Sequence, residues 1–299
     1  MKQIQGKTPE KGIFGENSRT AIIMLNAVVV LLVVIIALIT QLIKINSPAS
    51  STVDAAKSKA VLREQEPEQE SESTAKSKKN KLKDSQKVEK IRKNLDKDKP
   101  MVALTFDDGP YGKVTNRIVK TLKKHDSRAT FFVVGNRIPK YPETLKNAAK
   151  NGNQIGTHTY AHTNLSKLKK AAIKKEMKRA VASIEEVIGE PPSILRPPYG
   201  SANAKVQKAV ELPMICWNVD TVDWSKKSKK AVLKECKNIQ DGDIVLMHDL
   251  YSNTAAAVEK LVPALKKKGY QLVTVEELFY YKGIDLEEGK VYFSGKVAN

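Results

Sequence analysis

Three textures follow one another along the chain. Residues 21–43, AIIMLNAVVVLLVVIIALITQLI, are almost wholly apolar; Asn26, Thr40 and Gln41 are the polar members and no charge occurs. A run of 23 residues is long enough to cross about 30 Å of hydrocarbon as a helix, and longer than the roughly 7–15 residues of a cleavable signal core. It predicts a single uncleaved transmembrane signal anchor. Lys2, Lys7, Lys11 and Arg19 precede it, and Lys44 is the one basic residue among the ten that follow. That bias puts residues 1–20 in the cytoplasm and the bulk of the chain outside, as a single-pass protein of the cell membrane. Residues 44–99 are rich in Ser, Lys, Glu and Gln and hold no aromatic residue. Such a stretch buries too little surface to offset its ordering entropy, which predicts a flexible charged linker.

From about residue 100 short apolar runs alternate with amphipathic stretches. Strands are expected at 102–106, 129–134, 154–157, 194–196, 214–220, 244–248 and 271–273. Helices are expected near 114–124, 142–151, 169–188, 203–210, 228–238, 253–268 and 275–281. The alternation predicts an α/β domain over 100–299, with a parallel sheet and crossover helices, as an open sheet or a barrel. In either form active sites collect at the C-terminal ends of the strands.

Charge narrows the setting. The chain has 52 Lys+Arg against 33 Asp+Glu, and residues 100–299 alone hold 33 basic and 21 acidic residues, a net +12. A basic domain fits a polyanionic surrounding, or simply a lysine-rich soluble surface. Nucleic acid is not the expected partner: that reading needs basic residues interleaved with aromatics, and aromatics make up 6% of the chain. The two cysteines, Cys216 and Cys236, form neither a disulfide framework nor a CxxC metal motif. Two buried free thiols are the ordinary expectation.

The candidate chemistry falls at predicted strand ends. TFDDGP (105–110) places Asp107 and Asp108 side by side at a sheet rim, followed by a turn. Adjacent carboxylates oppose each other's ionisation, and a bound cation or a split of protonation relieves the conflict. A plain Asx-type turn has the same residues. His158 and His162, in THTYAH, are four apart and on a helical turn would face one ion together; a hydrogen-bonded loop pair is the alternative. With Asp108 they make a His-His-Asp set, three protein ligands with positions left open, as in a catalytic metal site. His248 ends IVLMH and suits proton transfer or a structural cap. RPPYG (196–200) is a stiff turn able to aim a backbone N–H at developing negative charge. Asp220 and Asp223 end a further strand, and one of them could orient a histidine or pair with Arg196.

TFDDGP, HTYAH, RPPYG, the DTVDW stretch and IVLMHD, in this order, resemble the five motifs of the polysaccharide deacetylases (carbohydrate esterase family 4, the nodulation-type deacetylase domain) over about residues 100–280. The resemblance implies a distorted (β/α) barrel. It implies Asp107 as general base and Asp108, His158 and His162 as ligands of one divalent metal ion, usually zinc, with cobalt or nickel possible. It implies the Tyr199 N–H as oxyanion donor, Arg196 orienting the base, Asp223 partnering the acid and His248 as general acid. Trp224 and Leu246 would wall the acetyl pocket, and Thr159 would brace the histidine loop. The activity implied is N-deacetylation of a cell-wall glycan, with N-acetylglucosamine units of peptidoglycan the leading substrate. Chitin-like oligosaccharides, an exported polyglucosamine and O-acetylated xylan are alternatives. A non-catalytic wall-binding protein is disfavoured, because every motif residue is present. The catalytic domain is expected to be monomeric.

Overall fold

The computed structural model describes residues 91–296. The predicted span at 21–43 and the linker up to residue 90 lie outside the described residues. Among the described residues no helix is long and apolar enough to cross a membrane.

β1 (Met101–Asp107) is buried at every position. Its side chains alternate between two faces. Val102, Leu104 and Phe106 pack under the outer helices, while Met101 and Ala103 join an inner cluster with Phe132, Ile194, Ile215, Ile244 and Val273. Both faces are covered, so the strand reads as a continuous apolar run rather than an alternating one. The chain continues through α1 (Gly112–Lys124), β2 (Thr130–Val133), α2 (Pro142–Lys150), β3 (Gln154–Thr157), α3 (Lys170–Ile188) and α4 (Ala204–Gln207). There follow β4 (Met214–Ile215), β5 (Val219–Asp220), α5 (Asp223–Lys226), α6 (Lys229–Glu235) and β6 (Ile244–His248). The last elements are α7 (Ser252–Lys267), β7 (Gln271–Val273), α8 (Val275–Tyr281) and β8 (Val291–Tyr292).

Every strand pair is parallel, and the main sheet runs β3-β2-β1-β6-β5. One edge of β1 is shared: β7 takes Met101–Ala103 and β2 takes Thr105–Asp107. Beyond β3, single bridges at Leu195 lead to β4, which also pairs with β8. The β4–β5 segment closes the ring. Ile215 N–H donates to the Leu195 carbonyl, and Asn218 N–H donates to the Ile244 carbonyl on the far side. The result is an irregular (β/α) barrel whose strands all end on one rim.

Several elements depart from the sequence expectation. The strand expected at 214–220 is two short strands, because the carbonyls of Ile215 and Cys216 turn inward to the Arg196 guanidinium. The strand at 194–196 shrinks to the bridges of Leu195. The helix at 203–210 shortens to α4, and that at 228–238 ends as α6 with a 3-10 turn at Cys236–Asn238. Residues 282–299, which no pattern places, contribute β8, and Tyr292 meets Phe279 edge-on at 5.2 Å between ring centroids. Both cysteines are free and buried.

Residues 91–99, linker-like in composition, are tied to the domain. Ile91 is buried. Arg92 grips Glu277 with two bonds of 2.9 Å, and the Tyr281 hydroxyl donates to the Arg92 carbonyl. Glu277 is fully buried, also accepts from Arg128, and completes a capping box with Thr274 at the start of α8. Arg92→Ala is therefore expected to cost about 1.5–3 kcal/mol, the range for hydrogen bonds to a charged group. A lower urea midpoint at unchanged slope is the result to look for.

Candidate active site

The rim is built from the end of β1 outward. Asp107 continues the inner face of β1 and is 2% exposed. Arg196, 0% exposed, donates from one terminal nitrogen to Asp107 Oδ1 at 2.8 Å and to Thr105 Oγ1 at 2.7 Å. Its remaining donors reach the carbonyls of Ile215 and Cys216, both at 3.0 Å. The guanidinium also lies over the Phe132 ring, 4.2 Å from its centroid. Burial pushes the Asp107 carboxyl above the usual range, and the charges of Arg196 and His248 pull it back without prevailing. Arg196 occupies Oδ1; Oδ2 lies 3.7 Å from His158 Nε2.

Asp108 turns the chain out of β1 at a φ of 72°. Its Oδ1 lies 3.3 Å from His162 Nε2 and 3.7 Å from His158 Nε2. The ligand atoms of these three residues all lie within 4.8 Å of one another. His158 Nδ1 is 2.7 Å from the Arg196 carbonyl. A carbonyl only accepts, so Nδ1 carries the proton and Nε2 presents a lone pair to the cluster. Burial lowers the His158 pKa to about 3, with the neighbouring His162 and the Arg196 charge acting in the same direction and Asp108 against it. A neutral imidazole with a fixed tautomer, a second imidazole and a carboxylate fit a divalent cation. The two histidines do not share a helical turn as their spacing suggested. They sit in a loop after β3, in which Thr159 and His162 hold φ values of 66° and 55°. Thr159 is buried, accepts from Thr163 N–H through Oγ1 and from Gly135 N–H through its carbonyl.

His248, at the end of β6, meets the same rim in register with Asp107. Its Nδ1 donates to Asp223 Oδ1 at 2.7 Å. Asp223 is 0% exposed, and its Oδ2 accepts from His248 N–H at 2.8 Å and Thr254 Oγ1 at 2.6 Å. Burial works against the charged ring, but the bond to Asp223 and the charges of Asp107, Asp223 and Asp108 outweigh it, raising the His248 pKa to about 9. Two histidines on one rim are thus pushed apart, one neutral and one cationic, a division that separates ligand from acid. Of the two aspartates left open by the sequence, Asp223 orients the histidine. Asp220 is exposed and caps its own turn through Val222 N–H.

Tyr199 sits at φ 63° and is 69% exposed, its ring edge-on to His162 at 5.0 Å. Its N–H bonds no group among the described residues. Gly200 beside it rests on the Trp217 ring. Trp224 is 51% exposed and directly follows Asp223; Leu246 is buried on β6, on the same face as His248. Seven non-glycine residues among the described ones have positive φ, and five of them border this rim: Asp108, Thr159, His162, Tyr199 and Val222. A β-branched valine there is a real outlier. Strain of this kind clusters at functional sites and persists where the surroundings over-determine it.

Some supporting residues have no role assigned by the sequence: Thr115 and Thr254 lie outside the five motifs, and Thr105 and Asp249 lie inside them without an assigned part. Thr105 and Thr254 brace Arg196 and Asp223, and look like ordinary strand and helix threonines in sequence. Asp249 is 0% exposed, accepts from Thr115, and has its other oxygen unpartnered among the described residues. Burial raises its pKa to about 7. It lies against Gly109, where an added Cβ would come within 2.2 Å of its carboxylate, so the turn after Asp108 requires glycine.

Comparison with known proteins supplies the lineage. The profile of a family described as "Polysaccharide deacetylase" matches residues 94–214. The Peptidoglycan-N-acetylmuramic acid deacetylase PdaC of Bacillus subtilis is 36% identical over 227 residues, covering 76% of this chain and 45% of the relative. The chain thus spans less than half the length of that relative. A Peptidoglycan-N-acetylglucosamine deacetylase of Bacillus cereus is 35% identical over 191 residues, covering 61% of this chain and 89% of the relative. Among solved structures, a family 4 acetyl xylan esterase of Clostridium thermocellum in complex with a cobalt ion superposes with a TM-score of 0.63. It is 29% identical, and the match covers 66% of this chain and all of that one, 100%.

Proposed function

The chain belongs to the polysaccharide deacetylase family, and from that premise we propose that it hydrolyses N-acetyl groups of a cell-wall glycan, releasing acetate and leaving a free amino sugar. One observation carries the reading: a paired carboxylate, a His-His-Asp cluster and a carboxylate-backed imidazolium converge on one barrel rim.

Asp107 is the general base. Arg196 holds one of its oxygens, and the other faces the cluster, free to take a proton from the attacking water. Its raised pKa strengthens it as a base. One divalent ion, zinc, cobalt or nickel, held by Asp108, His158 and His162 would supply Lewis acidity toward carbonyl and water. The unbonded Tyr199 N–H donates to the oxyanion that forms on the acetyl carbon. His248 delivers its Nε2 proton to the leaving nitrogen, since Nδ1 is committed to Asp223. Trp224 and Leu246 flank the acetyl group, and Thr159 fixes the histidine loop.

The substrate is peptidoglycan, on the strength of the names borne by two of the relatives, at its N-acetylglucosamine or N-acetylmuramic acid units. The apolar run at 21–43 and the charged stretch after it support a membrane-anchored chain with its catalytic domain outside the cell, and that domain is proposed to act as a monomer. Acetate release from N-acetylated peptidoglycan, chitooligosaccharides and acetylated xylan, with chelator and after restoring each metal, tests the reading. Loss with chelator and recovery with metal is expected, fastest on peptidoglycan. No release from any of the three under any metal would falsify it.

A pH profile follows from His248. The acid form is required, so kcat/KM falls as pH rises through the His248 pKa. That limb lies at or below about 9, because a bound cation adds its own push toward deprotonation. Asp223→Asn removes a charge and leaves the His248 Nδ1–H at most a neutral amide oxygen in place of a carboxylate. Its alkaline limb is expected at distinctly lower pH than that of the wild type.

A further inference from the structure

We infer that Glu176 and Arg179 of α3 are positioning residues for the metal, acting through the backbone of the His158–His162 loop. The inference rests on the metal-site reading above. The loop carries both histidine ligands and two left-handed residues, Thr159 and His162. It is held on two sides. From the β2 side, Gly135 N–H donates to the Thr159 carbonyl at 3.0 Å and Asn136 N–H to the Tyr160 carbonyl at 2.8 Å. From the α3 side, Glu176 Oε1 accepts the Ala161 N–H at 2.7 Å, and the Arg179 guanidinium lies 3.7 Å from the centroid of the Tyr160 ring.

The two side chains are three residues apart on α3, so they share a face and straddle the loop. Tyr160 and Ala161 are the residues directly before His162. His162 is the less enclosed of the two ligands, its side chain 32% exposed against 4% for His158. His158 has the Arg196 carbonyl to fix its ring. Among the described residues the His162 ring lies edge-on to the rings of His158 and Tyr199 at 4.9 and 5.0 Å and, at Nε2, 3.3 Å from Asp108 Oδ1, itself a member of the cluster; its Nδ1 has no carbonyl like that of Arg196 to fix it. The orientation of His162 therefore depends on its backbone, and its backbone depends on what α3 holds. Groups that orient metal ligands typically change metal affinity by about 10–100-fold when removed. Neither residue touches the cluster, and no motif includes them.

The test measures metal affinity rather than turnover. Zinc and cobalt are titrated into the full chain against a chromophoric chelator, and the cobalt absorption spectrum is recorded. Glu176→Ala is expected to weaken both metals by about 10–100-fold and alter the cobalt spectrum, with Arg179→Ala acting in the same direction. Glu176→Gln keeps an acceptor for the Ala161 N–H and is expected to restore wild-type affinity. Wild-type affinity and spectrum in Glu176→Ala would overturn the inference. So would equal weakening in the Ala and Gln variants together with a lowered unfolding midpoint of the metal-free chain, which would mark a general structural role. A wild-type chain that binds neither metal would instead overturn the metal site itself, and the inference with it.

Discussion

Asp107→Asn is expected to reduce acetate release by about 10²–10⁴-fold, the usual worth of a positioned general base, with metal content unchanged. The substitution is nearly isosteric. The amide oxygen can still accept from Arg196, so the fold around the buried guanidinium is kept. What is lost is the capacity to take a proton on the oxygen that faces the ligand cluster. Asp108, His158 and His162 stay in place, which is why metal content separates this variant from a ligand substitution. Near-wild-type release would move the base to Asp249, the other fully buried carboxyl at this turn.

Arg196→Ala is expected to destabilise the domain by about 3–5 kcal/mol, the cost of leaving one partner of a buried ion pair uncompensated, measured by urea unfolding. The guanidinium is fully enclosed and links four groups: Asp107, Thr105 and the carbonyls of Ile215 and Cys216. The two carbonyls belong to the interruption between β4 and β5, so this side chain replaces the hydrogen bonds that a regular strand would make there. Its removal strands them together with the Asp107 carboxylate. The carboxyl, already raised by burial, loses its nearest positive charge and moves further up. The acidic limb of activity should then shift to higher pH. Arg196→Lys keeps a charge but not the planar fork, and should fall between the two.

The barrel and its rim were legible because strand ends are where apolar runs stop and chemistry-bearing residues begin. Asp107, His158, Arg196 and His248 all stand at such junctions, and the motif order supplied their roles. Geometry imposed by tertiary bonding was not legible. The β4–β5 break depends on Arg196, a residue 19 positions away from Ile215 in sequence. HxxxH spacing fits a helical turn, but left-handed Thr159 and His162 put the pair in a loop. Residues 91–99 have the composition of a spacer, yet a single arginine facing a buried Glu277 folds them onto the domain. Asp249 carries no periodic signal, because its role is set by contact with Gly109 and Thr115 across the fold.

The bonds that assemble the rim join distant parts of the chain. Asp107 meets Arg196 across 89 positions, His158 meets the Arg196 carbonyl across 38, and His248 meets Asp223 across 25. Contacts of such separation form late, after the loops between them have closed. A chain with its helices already wound but its ring still open has a carboxylate without a guanidinium and an imidazole without a carboxylate. During refolding, recovery of acetate release should therefore lag recovery of helical signal. Hydrolysis would serve as a clock for the final closing step, and incompletely folded chains would leave the glycan around them untouched.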